Sequence, residues 1–181
     1  MEREKDKIPI VAIVGRSNSG KTTLIERIIP ELKRRGWRVG TIKHNRHGFQ
    51  IDHPGKDSYR HRQSGARVTV LASPQEVAVI QDAEKDYEIF ELVSLFIRGV
   101  DIVLVEGFKE NTYPKIELRP SSKPGEPICR KGDNLLAYVG DVPETTEVPF
   151  LHWDDIQAVV DLIESNLLKP KAHNGCLGPT P

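Results

Sequence analysis

The chain has 181 residues, enough for one α/β domain around a single hydrophobic core and too few for two comfortable ones. Its 26 acidic and 26 basic side chains cancel, so no global charge draws it to nucleic acid or an anionic membrane, and no apolar run approaches the roughly 20 residues of a membrane span. Two distant cysteines, Cys129 and Cys176, suggest neither a disulfide framework nor a zinc cluster and fit a reducing cytoplasm.

Residues 1–7 are charged, with no apolar segment behind them, and read as a flexible, untargeted N-terminus. The apolar run Ile8 to Val14 predicts a first strand, and Gly15-Arg16-Ser17-Asn18-Ser19-Gly20-Lys21-Thr22 follows it directly in the pattern GxxxxGKT. That pattern between a strand and a helix is a P-loop. Gly15 and Gly20 allow backbone angles closed to other residues, so N–H groups can curl around phosphate oxygens at the positive end of the next helix. The binding set is Gly15, Asn18, Ser19, Gly20, Lys21, Thr22 and Thr23, with Lys21 reaching the β and γ phosphates and Thr22 a Mg²⁺ ion.

Lys21 to Arg35 predicts a helix with Leu24, Ile25, Ile28 and Leu32 on one face, Gly36 as its stop, and a kink or break at Pro30. Arg38 to Lys43 reads as the second strand, the polar stretch 44–55 as a loop and Lys56 to Gly65 as a short helix. From Lys33 to Arg67 ten Lys or Arg face only Asp52 and Asp57, whereas from Glu76 to Glu91 six acidic residues face only Lys85. The basic block reads as solvated surface or as a site for a polyanionic ligand. Arg67 to Ala72 and Glu76 to Gln81 predict an antiparallel hairpin, which would make the sheet mixed.

Asp86 to Arg98 shows Ile89, Phe90, Val93, Phe96 and Ile97 at helical spacing and is expected to pack on the sheet, with Gly99 as its stop. Ile102 to Val105 is a buried parallel strand, and Lys115 to Leu118 and Leu135 to Val139 are weaker strand candidates around a mobile-looking loop, 121–133. Asp154 or Asp155 caps a last helix with an apolar stripe of Ile156, Val159, Val160, Ile163 and Leu167. The whole is an α/β fold of the P-loop NTPase type, a mixed, mostly parallel sheet flanked by helices over 8–168, and 169–181 reads as a disordered tail.

A P-loop requires a carboxylate across from Thr22, and Glu106 at the carboxyl end of the buried strand supplies it if the two strands lie close. Lys43, ending the second strand at the same edge, is a second candidate catalytic cation beside Lys21, able to offset charge on a γ-phosphoryl group. Asp57 reads as a ligand of the metal or its waters, or as the cap of the short helix. His44, His47, His53 and Asp52 match no standard zinc spacing. No Asn-Lys-x-Asp motif is present; Asp141 is a candidate reader of a nucleobase N1–H and amino group, or an ordinary turn aspartate.

Thr41-Ile-Lys-His44, Asp52-His-Pro-Gly-Lys-Asp-Ser58, Ser64-Gly-Ala66 and Leu104-Val-Glu-Gly-Phe-Lys109, together with the P-loop, resemble MobB, the molybdopterin-guanine dinucleotide biosynthesis adaptor family. The resemblance covers Ile8 to Leu168. It implies a cytoplasmic homodimer that binds GTP with Mg²⁺, hydrolyses it weakly, and assists the guanylyltransferase MobA in attaching GMP to molybdopterin. Its nucleotide site maps onto Gly15, Ser19, Gly20, Lys21, Thr22 and Glu106. A looser likeness to dethiobiotin-synthetase-type proteins would gather Lys43, Asp57 and Glu106 around the γ-phosphate and metal, and makes an ATP-dependent small-molecule kinase or ligase the alternative function. On the family reading, Arg46, Lys56, Arg60 and Arg62 are expected to hold or steer the phosphate-bearing pterin.

Overall fold

The first apolar run becomes β1 (Ile10–Gly15), whose residues Val11 to Val14 are fully shielded from solvent on both faces. A strand so placed is the centre of a sheet covered on two sides. The computed structural model describes residues 8–45, 48–108, 110–142 and 146–169. They fall into two compact units, one comprising the chain up to His44 and again from Arg98, the other Asn45–Ile97. Residues 1–7, read from sequence as a flexible start, and all of the 169–181 tail but Lys169 lie outside the described residues.

In the first unit, β2 (Val39–Lys43), β5 (Ile102–Glu106), β1, β6 (Lys115–Leu118), β7 (Leu135–Gly140) and β8 (Phe150–His152) form a six-stranded sheet in that order. Every adjacent pair is parallel. All carboxyl ends therefore share one rim, and the loop after β1 emerges between β5 and β6. On one face lie α1 (Lys21–Arg34) and α4 (Ile156–Leu167). Leu24, Ile28 and Leu32 of α1 and Val159, Val160 and Ile163 of α4 pack with Val11, Ile13, Leu104, Ile116 and Val139 in one core cluster. Such spacing within each helix is what an amphipathic helix presents to a sheet.

Local sequence explains the ends of these helices. The Asp155 carboxylate accepts from the Ala158 N–H at 3.0 Å, a cap worth about 1 kcal/mol. Helix α1 runs unbroken through Pro30, because Pro30 stands on the exposed face, where water can reach the carbonyl it leaves unpaired. Arg35, at the end of α1, reaches Asp161 and Glu164 of α4, and with Arg34 it holds the Glu31 carboxyl down to about 2.

Two charged residues of β6 are buried. Lys115 Nζ donates to the carbonyls of Asn111, Tyr113 and Asp133, and the Glu117 carboxylate accepts from the N–H groups of Ile128 and Cys129 at 2.7 to 3.1 Å. These bonds fasten the latter part of the 121–133 loop, with a 3-10 turn at Lys131–Asp133, so that part is anchored rather than loose.

In the second unit, α2 (Asp57–Gln63) is followed by β3 (Val68–Ala72) and β4 (Val77–Gln81), then α3 (Ile89–Phe96). The antiparallel hairpin forms as expected, yet as a separate two-stranded sheet. The central sheet is thus parallel throughout rather than mixed. Helix α3 starts at a capping box made by Glu88 and Glu91, later than Asp86, and ends before Arg98. Of its apolar stripe Ile89 is buried, whereas Phe90 and Phe96 are exposed at 59% and 47%, so the stripe is not the core-packing face its spacing suggested. No helix among the described residues is long and apolar enough to cross a membrane.

Candidate functional site

The rim of the parallel sheet gathers the P-loop and two charged strand ends. In the register of the sheet, Ile13 of β1 pairs with Glu106 of β5, and Glu106 pairs with Lys43 of β2. Partners in a parallel register point to the same face, so Glu106 and Lys43 emerge on the face that carries α1. Thr22, in the first turn of α1, meets them there. Its Oγ1 lies 3.0 Å from both Glu106 oxygens, and Lys43 Nζ lies 3.2 Å from Glu106 Oε1. The carboxylate is only 15% exposed, which raises the strength of each of these contacts over that in water.

Backbone conformation shapes the loop itself. Gly15, Asn18 and Gly20 all have positive φ, at 151°, 56° and 95°. A Cβ on Gly15 would stand 2.8 Å from the Leu118 carbonyl oxygen and 2.8 Å from Ser19 Oγ, so only glycine fits this turn. Gly20 is the N-cap of α1 and no side chain caps the helix, which leaves the N–H groups at Lys21, Thr22 and Thr23 for an anion. Ser19 Oγ is buried without a hydrogen-bond partner among the described residues, an atom that a phosphate oxygen would satisfy. Lys21 Nζ crosses the loop, donating to the carbonyls of Gly15 at 3.1 Å and Arg16 at 2.7 Å. Burial pushes its ammonium below the ordinary 10.5, the Glu106 carboxylate pulls it back up, and Lys43 adds to the lowering.

Hard oxygens at Thr22 and Glu106, amides at a helix start and two ammonium groups form a donor set suited to a phosphate chain with a hard divalent cation. Among the described residues no group of three or more His, Cys, Asp or Glu is placed to hold a metal; His47 lies outside the described residues.

Two other candidates have partners of their own. Asp141, just past β7, has both oxygens taken by Ser121, whose N–H and Oγ each donate at 2.6 Å, and these bonds hold its carboxyl below the usual range. Asp57 belongs to the second unit, where it is the first residue of α2 rather than its cap, which is Lys56, and it pairs with Arg60 at 3.7 Å.

Reading by residue type also passed over neighbours of the P-loop. Phe108 adopts φ 53°, rare for an aromatic residue, and its ring meets His44 at a centroid distance of 4.2 Å. The pair flanks the strand ends that bear Glu106 and Lys43. Arg16 donates to the Glu126 carbonyl at 3.2 Å, tying the P-loop to the loop that Glu117 anchors. Positive φ at Phe108 has no local signature, and the Arg16 contact spans 110 residues.

The profile of the family described as molybdopterin guanine dinucleotide synthesis protein B matches residues 10–141, β1 through Asp141. The chain belongs to the MobB family. A molybdopterin-guanine dinucleotide biosynthesis adapter protein of Haemophilus influenzae is 37% identical over 161 residues, 88% of this chain and 90% of the relative. One of Escherichia coli is 35% identical over 165 residues, 88% and 93%. The crystal structure of Bacillus subtilis MobB superposes with a TM-score of 0.68 at 32% identity, over 90% of this chain and 99% of that one. The MobB match spans every residue placed at the rim, from Gly15 to Glu106.

Proposed function

We propose that the protein is an adapter in molybdopterin guanine dinucleotide biosynthesis that holds GTP with Mg²⁺ at its P-loop. It presents the nucleotide to the guanylyltransferase MobA, which attaches GMP to molybdopterin. The observation that carries the nucleotide reading is the convergence of Thr22 Oγ1 and Glu106 at 3.0 Å, with Lys43 3.2 Å beyond, at the ends of three adjacent parallel strands. Gly15, Ser19 and the first turn of α1 would hold the phosphates, and Thr22 and Glu106 the metal; when bound, Mg²⁺ neutralises phosphate charge. Lys21 and Lys43 add positive charge beside the terminal phosphate. Turnover is slow, below about 1 s⁻¹, because among the described residues the contacts of Lys21, Thr22, Lys43 and Glu106 include no glutamine or arginine side chain to orient an attacking water or offset charge in the transition state. To read a guanine edge, Asp141 would have to exchange its Ser121 bonds for those of the base.

A cytoplasmic homodimer follows from the same family reading. Its support is the hairpin face bearing Val68, Val70, Val77 and Val79, all at least half exposed, an apolar surface that a second copy would cover. Calorimetric titration with GTP, GDP and ATP, with and without Mg²⁺ and MobA, tests the proposal. Metal-dependent binding that prefers GTP, is lost in Lys21→Ala and accompanies MobA capture is expected. Preference for ATP, or consumption of nucleotide only when a carboxylate acceptor is supplied, would instead establish a kinase or ligase.

A further inference from the structure

With the metal end of a triphosphate at Thr22 and Glu106, the terminal phosphate lies toward Lys43 of β2, and β1 stands between β5 and β6 in the sheet. The nucleoside at the other end of the chain therefore extends over the carboxyl ends of β6, β7 and β8. Trp153, the residue after β8, stands there. Its N–H donates to the Gly140 carbonyl at the end of β7 at 2.9 Å, and its own carbonyl accepts from Arg27 of α1 at 2.9 Å. Arg27 also pairs with Asp154 at 3.1 Å, so the backbone on both sides of the indole is fastened. The ring passes within 3.8 Å of the point that a Cβ on Gly20 would occupy, which sets it beside the N-cap of α1. It is partly buried against the core and partly open to solvent. Val142, exposed just past β7, adds apolar surface on the same rim. A ring held this way loses little freedom when a second flat ring stacks on it. Asp141 has its oxygens on Ser121, so stacking is the base contact that requires no exchange of bonds.

We propose that the Trp153 indole is the wall on which the base of the nucleotide stacks, and that it selects purine over pyrimidine nucleotides. An aromatic ring accepts any base face, so the contact grows with the area of the base rather than with its hydrogen-bonding edge, and a two-ring purine gains more than a one-ring pyrimidine. The P-loop sets phosphate affinity for any nucleotide, whereas Trp153 makes that affinity depend on the base. This assignment rests on the P-loop reading proposed above.

The test compares GTP, UTP and inorganic tripolyphosphate, all with Mg²⁺, by calorimetry. Trp153→Leu keeps an apolar side chain and removes the aromatic face; it is expected to weaken GTP binding by roughly 5- to 150-fold, the range of one base–aromatic stack, and to leave tripolyphosphate unchanged. UTP binds the parent more weakly than GTP, and the gap narrows in this variant. Trp153→Phe keeps most of the GTP affinity. A fluorescence arm uses Trp37→Phe, which removes the tryptophan before β2, at the amino edge of the sheet, and leaves Trp153 as the only one. Bound GTP quenches its emission and bound tripolyphosphate does not; this arm decides alone if Trp153→Leu fails to fold by circular dichroism. GTP affinity unchanged in Trp153→Leu, an equal loss for tripolyphosphate, or quenching as strong with tripolyphosphate as with GTP overturns the proposal. Tripolyphosphate bound by the parent, with no effect of Trp153 on GTP, sinks this assignment alone. Failure of both GTP and tripolyphosphate to bind the parent sinks the P-loop reading and this one with it.

Discussion

Replacing Glu106 with Gln separates a metal-binding role for this residue from a purely structural one. The amide keeps the size of the side chain and an oxygen for Thr22 at 3.0 Å, so the rim retains its shape while losing one negative charge. If the carboxylate serves a divalent cation, its removal costs a charge-assisted interaction of about 1.5–3 kcal/mol, which is roughly 10- to 150-fold in affinity. Without metal the sign reverses. A triphosphate brought near Glu106 is repelled by it, and in the variant Lys43, no longer paired at 3.2 Å, is released toward the phosphates. The variant should therefore bind GTP more weakly than the parent in Mg²⁺ and at least as tightly in EDTA.

Titration of a fluorescent GTP analogue under both conditions reads this crossover directly. Burial of the carboxylate at 15% exposure means that ordinary salt will not mask it. Equal loss of affinity with and without metal would refute the reasoning, because Glu106 would then act only by shaping the loop. Unchanged affinity in Mg²⁺ would refute it equally.

Burial of Lys21 disfavours its charged form in the nucleotide-free fold, so the unfolded chain holds this proton more tightly. Stability should rise with pH through the window between the lowered folded pKa and 10.5, and Lys21→Met should flatten that rise and raise the melting temperature at neutral pH while abolishing phosphate binding. Thermal scans of both proteins across pH check this, and a variant no more stable than the parent contradicts it. Glu117→Ala strips the N–H groups of Ile128 and Cys129 of their acceptor and should cost about 2–4 kcal/mol. A melting temperature lower by roughly 5–15 °C is expected, and an unchanged one would show that the loop finds other partners.

The loop geometry of the candidate site was legible because its signals are local. Gly15 to Thr22 is a contiguous motif whose glycines, backbone amides and lysine would serve one ligand on the proposed reading, and its placement after an apolar strand is checkable by eye. Glu106 and Lys43 were legible by a second rule, that strand ends in a parallel sheet share a rim, and the register joining Lys43, Glu106 and Ile13 makes that rule concrete. The same logic failed where a partner had to be found across the chain. Asp141 reads as a turn residue or a base reader, and nothing near it announces that Ser121, twenty positions earlier, takes both oxygens.

Elements failed for a related reason. The hairpin was recoverable from alternation and a short turn, but whether it joins the central sheet depends on edges that alternation does not encode, and it forms a two-stranded sheet of its own. Phe90 and Phe96 follow the helical spacing that normally marks a core face, yet they face solvent, since periodicity reports one common side and is silent on what covers it. Strand β8, only three residues long, is too brief to show a period. Lys115 and Glu117 carry the opposite lesson. Charged residues alternating with Ile116 and Leu118 look like a strand wet on one face, and both are buried because backbone carbonyls and amides of distant loops satisfy them. Glu117 thereby holds the loop whose Glu126 carbonyl receives Arg16, so the next-to-last residue of β6 acts on the P-loop through a clamp that only the folded chain assembles.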